Sequence, residues 1–237
     1  RCKQYDYKKS NILRRKSKVH NTLCPQIEFA REKLIRTKDL ISLEKNKFYY
    51  SKFPKISIFD NIYGYNFYIS KKDVIFCINS LNQSKLNFLT LCHNKRKGFL
   101  ESYLKKSKLS YEVQYKGDFS NTFYSDFVIS IGYQSAALKA AFSFEKPIIF
   151  FTENKLFFQN ATFFSNKTNN QKIHKIISKL TFNNESLKGY IANKDIYKKF
   201  LSQIKVNSKL LLKELGLKKN LIPAQKSILK LIKEIEF

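Results

Sequence analysis

Residues 127–151 constrain the fold more than any other stretch. Phe127-Val128-Ile129-Ser130-Ile131 is an almost unbroken apolar run stopped by Gly132, and Ile148-Ile149-Phe150-Phe151 is a second one opened by Pro147. Apolar runs without alternation suit strands covered on both faces. Between them, Ser135 to Phe144 carries Ala136, Ala137, Ala140 and Ala141, giving a short helix small enough to lie close on a sheet. Strand, short helix and strand in so little chain predict a parallel βαβ unit.

The same pattern extends outward. Ile56 to Phe59 predicts a short extended run after Pro54, and Gly64 marks a turn. Val74-Ile75-Phe76-Cys77-Ile78 reads as another buried strand, which leaves too little chain before Phe88 for a crossover helix. Phe88 to Cys92 and Tyr111 to Tyr115 predict strands, separated by a basic helix from about Lys95 to Lys108 with Phe99, Leu100, Tyr103 and Leu104 inward. Gly117 to Asn121 reads as a loop, and Ala161 to Phe164 as one more short strand. Ile173, Ile176, Ile177 and Leu180 follow helical spacing, a long helix is predicted from Lys194 to Leu215, and a last one carries Ile228, Leu231, Ile232 and Ile235. Near the start, Pro25 opens a predicted helix reaching Asn46.

The expected fold is therefore α/β: a parallel sheet flanked by helices, Rossmann or flavodoxin-like, with a basic N-terminal arm and C-terminal helices. The expected divisions are a basic arm at 1–23, a helix and connector at 24–55, the α/β domain at 56–182 and C-terminal helices at 183–237.

Charge narrows the function. Lys and Arg number 45 against 18 acidic residues in 237, a formal net charge of +27. Such self-repulsion lowers the stability of a compact state and makes sense where a dense anion neutralises it. RNA, with a phosphate at every nucleotide, is the commonest such anion. No basic amphipathic helix with a clean apolar face, no lipidation box and no run of 18 apolar residues points to a membrane. Segment 1–18 sets Arg1, Lys3, Lys8, Lys9, Arg14, Arg15, Lys16 and Lys18 against Asp6 alone, a net of +7, so it is expected to order only on an anion. Abundant Lys, Asn, Ile, Phe and Tyr with scarce Gly point to an A/T-rich genome such as an organelle's. With Met absent, residue 1 is no initiator, and the chain is expected to begin downstream of the true start.

Motifs for chemistry are missing. His20, His93 and His174 stand far apart, Cys2, Cys24, Cys77 and Cys92 have no CxxC spacing, there is no GxGxxG, Walker loop or HExxH, and with Gly so scarce a phosphate-cradling loop is hard to build. No catalytic residue, metal or cofactor is therefore expected, and the four cysteines read as reduced, partly buried thiols. Loops at strand ends project from a rigid sheet, where cations reach phosphates while the core stays dry. On that argument the expected RNA contacts are Lys8, Lys9, Arg14, Arg15, Lys16 and Lys18 in the arm, with Lys71, Lys72, His93, Asn94, Lys95, Arg96, Lys97, Lys116 and Asn121 in loops.

Several of these segments occur in a familiar order. Phe88 to Cys92 followed by His93-Asn94-Lys95-Arg96-Lys97 forms a strand and basic loop, and Tyr111 to Asn121 a strand and the loop after it. Asp126-Phe127-Val128-Ile129, then Ala137-Leu138-Lys139-Ala140-Ala141, then Lys146-Pro147-Ile148-Ile149 closing at Thr152-Glu153-Asn154 follow. Over residues 87–166 this succession resembles the family of the universal small-subunit ribosomal protein two, and Tyr68 to Ile75 looks like that family's Tyr-Ile…Arg-Asn-Gly-Ile-x-Ile entry. The family's loop Trp and one Gly are missing here, and the four residues between Asn121 and Asp126 leave no room for its long helical hairpin. The resemblance implies a divergent organellar member, mitochondrial before plastid. Its role would be structural: binding small-subunit ribosomal RNA beside neighbouring small-subunit proteins, with no small-molecule substrate.

A second resemblance uses overlapping residues. Asp126-Phe127-Val128-Ile129-Ser130, the Ala-rich helix and Lys146-Pro147-Ile148-Ile149 are also similar to the donor-binding half of a glycosyltransferase with two Rossmann-like domains. That family's helix supplies a Glu to the sugar nucleotide, and Ala140 stands at its position here. A chain of 237 residues would hold little more than one of the two domains.

Overall fold

The structure, a computed structural model, describes residues 52–60, 71–94, 99–115, 120–132, 135–153 and 170–214. The basic arm, the helix expected at 25–46, the strand expected at 161–164 and the helix expected around 228–235 lie outside them. Strands β1 (Lys55–Phe59), β2 (Leu89–Asn94), β3 (Ser110–Tyr115), β4 (Phe127–Ile131), β5 (Ile148–Phe151) and β6 (Thr181–Phe182) form one sheet in the order β3-β2-β1-β4-β5-β6. Every neighbouring pair is parallel. The chain is thus an α/β protein, and its strand order is the Rossmann order rather than the flavodoxin one.

Burial explains why the sequence chose this arrangement. All five residues of β4 and all four of β5 are buried, as strands in the middle of a doubly covered sheet must be. Helix α3 (Ser135–Ser143) joins them, and Ala137, Ala140 and Ala141 have no exposed surface, so the helix lies close on the strands it connects. Each large apolar side chain taken from water there contributes about 1.5–3 kcal/mol.

Residues 74–78 are helical and not extended. They lie within α1 (Lys71–Asn82), where Val74, Cys77, Ile78 and Leu81 are buried at i, i+3, i+4 and i+7 while Phe76 is 36% exposed. A five-residue apolar run fits a buried strand and a buried helix segment equally well, and here the periodicity of the flanking residues decides. α1 is itself the crossover from β1 to β2, so no further helix is needed between Ile78 and Phe88. Helix α2 (Phe99–Leu104) ends before the expected Lys108, while residues 95–98 lie outside the described residues; Leu100 and Leu104 are buried and Tyr103 half-buried. Of the loop expected at 117–121, residues 120 and 121 begin a 3-10 turn, Ser120–Tyr124, and the rest lie outside the described residues.

The C-terminal elements close the core. Helix α4 (Asn170–Lys179) leads into β6, and α5 (Asn184–Tyr190) follows, started by a capping box in which the Asn183 side chain accepts from the Ser186 N–H at 3.0 Å. Helix α6 (Lys194–Glu214) buries Tyr197, Phe200, Ile204 and Leu211. Its rings meet the sheet edge-on, with Phe200 centred 5.7 Å from Phe127 and 5.4 Å from Phe182. The Ile148 N–H donates to the Ser208 hydroxyl at 2.9 Å, tying α6 to the start of β5.

Candidate functional site at the carboxyl edge of the sheet

Two halves of the sheet grow outward from the β1–β4 boundary in opposite directions, towards β3 and towards β6. In folds with this strand order, right-handed crossovers send the connections after the two central strands to opposite faces, and the crevice between them at the carboxyl ends of the strands is where ligands bind. The two strands finish in register, Phe59 opposite Ser130. Asp60 follows one strand, Ile131 and Gly132 the other.

The turn after β4 is built for a sharp exit. Gly132 has φ of 68°, a left-handed conformation that a side chain would strain. Its carbonyl accepts from the buried Ser130 hydroxyl at 2.6 Å, and its N–H donates to the Phe151 carbonyl at 2.8 Å. Three residues later α3 begins at Ser135, and the amides of a helix's first turn, which lack partners within the helix, face this edge.

Asp60 sits at the other lip. Its Oδ2 accepts the Leu100 N–H at 3.3 Å, in the first turn of α2, so the residue after β1 helps to cap the helix after β2. Burial pushes its carboxyl up from 3.8 to about 6, against the pull of that hydrogen bond. Nearby Cys92 is a buried free thiol held strongly protonated by burial and by the charges of Asp60 and Glu101. Cys77 is likewise free and buried; Cys2 and Cys24 lie outside the described residues.

The start of α1 reaches over the same edge. Asp73, 3% exposed, accepts the Glu153 N–H at 2.9 Å just past β5, and Glu153 accepts the Asn184 N–H at 2.7 Å. This chain of contacts fastens α1 and α5 to the end of β5. It also sets Lys71 and Lys72, both exposed, in the first turn of α1 above the edge.

The sequence-predicted contacts distribute unevenly. Lys71 and Lys72 stand at the carboxyl edge, and His93 and Asn94 are the last two residues of β2, hence at that edge too. Asn121 belongs to the 3-10 turn that leads into the amino end of β4, so it is separated from them. Lys8, Lys9, Arg14, Arg15, Lys16, Lys18, Lys95, Arg96, Lys97 and Lys116 lie outside the described residues. Pattern alone does not single out Asp60 or Ser130, whereas Gly132, directly after an apolar strand, and Ser135 stand where the glycosyltransferase resemblance would place a sugar nucleotide.

Among the described residues no group of three or more His, Cys, Asp or Glu could hold a metal ion, and no helix is long and apolar enough to cross a membrane. No protein-family model matches the chain, and no curated protein matches it significantly in sequence.

Proposed function

We propose that this chain binds a sugar nucleotide at the carboxyl edge between β1 and β4, as the donor-binding unit of a glycosyltransferase. One observation carries the reading: an all-parallel sheet in the order β3-β2-β1-β4-β5-β6, whose order reverses where such folds take nucleotides. The glycine turn after β4 and the amides of α3 suit a diphosphate, which gains from the helix dipole and from direct N–H donation. Lys71 and Lys72 add positive charge at the same edge. The carboxylate that the family places on this helix is missing, since its position is Ala140, fully buried, so ribose recognition falls to other residues. Because fold alone does not specify activity, the test is binding. Titration of the full chain with UDP- and CDP-sugars should give micromolar affinity, weakened by Gly132→Val; absence of binding to both sinks the reading.

A second reading, a small-ribosomal-subunit protein held by ribosomal RNA in an organelle, is favoured by the net charge of +27. It predicts co-sedimentation with small subunits and aggregation of the stripped protein. Under it, no nucleotide sugar binds, Lys71, Lys72 and residues 93–97 contact phosphates, and charge removal weakens binding on any RNA sequence.

A further inference from the structure

A cavity lies at the opposite, amino edge of the sheet. It measures about 460 Å³ and is lined by Ser125, Asp126, Lys146, Pro147, Lys198 and Lys205, among others. It forms where the turn before β4, the turn between α3 and β5, and one side of α6 come together. Lys198 and Lys205 are seven residues apart on α6, two turns along one face, and so stand about 10 Å apart along its axis at 1.5 Å rise per residue. Lys146 enters from the other wall, its ammonium 5.2 Å from the centre of the Phe123 ring.

Cations outnumber anions at this place. Asp126 and Glu145 are the acidic residues of the lining, against Lys146, Lys198 and Lys205. Lys55, the first residue of β1, is close enough to Lys146 to repel it, as is Lys205. Asp126 has other duties: its Oδ2 accepts the Lys55 backbone N–H at 2.8 Å and the Tyr197 hydroxyl at 3.4 Å. Burial lowers the pKa of Lys146; the attraction of Asp126 opposes this, and the weaker repulsions of Lys55 and Lys205 add to it. Asp126, already engaged by the Lys55 N–H and the Tyr197 hydroxyl, offsets only part of the cost of burying Lys146, and an incoming anion would offset more. Leu201 and Pro147 give the cavity an apolar wall, so its occupant need not be anionic throughout.

We propose that this amino-edge cavity is a binding site for a multivalent phosphate ligand, gripped between Lys146 and the Lys198–Lys205 face of α6. It is separate from the sugar-nucleotide site and does not depend on that reading. The phosphates could belong to a small molecule or to a nucleic-acid backbone, and the two probes of the test distinguish these sources.

The test is calorimetric titration of the full chain with inorganic tripolyphosphate and, separately, with a short single-stranded RNA. The variants are the Lys198→Ala/Lys205→Ala pair and Lys199→Ala/Lys209→Ala; all four lysines are exposed, so neither pair should disturb the fold. Tripolyphosphate binding that falls at least about tenfold in the first pair and less than about twofold in the second supports the site. RNA binding that falls in the same selective way supports the same cavity with a backbone phosphate as its occupant. Equal loss in both pairs would show a diffuse basic surface and overturn the proposal, as would no binding of either probe or binding insensitive to Lys198 and Lys205.

Discussion

Asp60 combines burial, a helix-capping contact and a raised carboxyl pKa. The folded protein holds that proton up to about pH 6, whereas the unfolded chain loses it near 3.8, so the fold binds more protons across this window. Stability supplied by Asp60 is therefore full below about pH 4 and lost as pH rises through 6. The shift corresponds to roughly 2 kcal/mol once solvent at its open side is allowed for. Asp60→Asn should flatten the pH dependence of denaturant unfolding between pH 4 and 7, and unchanged slopes would remove Asp60 from the account. At the other lip, Gly132→Ala should cost about 1–2 kcal/mol, because alanine disfavours the positive φ that the turn requires. A variant as stable as the parent would mean that the turn tolerates another conformation.

Element packing gives sharper tests. Ala140 and Ala141 are fully buried in α3, so Ala140→Leu should destabilise by about 1–3 kcal/mol through overpacking, measurable by urea denaturation. Phe200→Ala empties the ring cluster under α6 and should cost about 3–5 kcal/mol by the same assay. The βαβ unit at 127–151 was legible in the sequence because its strands are apolar throughout and its helix is marked by alanine. α1 was not, because Val74 to Ile78 is apolar at consecutive positions, and only burial separates exposed Phe76 from its neighbours. α5 and the two-residue β6 also escaped notice. Each is short, and β6 exists only because β5 offers it a partner, Phe151 opposite Phe182.

At the scale of the molecule, parallel α/β architecture follows from apolar runs, but strand order does not. It depends on which edge each crossover returns to, and local patterns carry no record of that choice. The candidate site inherits the same limit: glycine after β4 is visible in sequence, whereas its meeting with Asp60 across the β1–β4 boundary needs the topology. Charge, by contrast, is plain in composition and says little about position. The most direct test is hydrogen–deuterium exchange of the full chain with and without a saturating UDP- or CDP-sugar. The sugar-nucleotide reading predicts slowed exchange in residues 59–60 and 130–137, flanking the crevice, and little change along α6. No ligand-dependent protection, or protection that leaves both segments untouched, would contradict it.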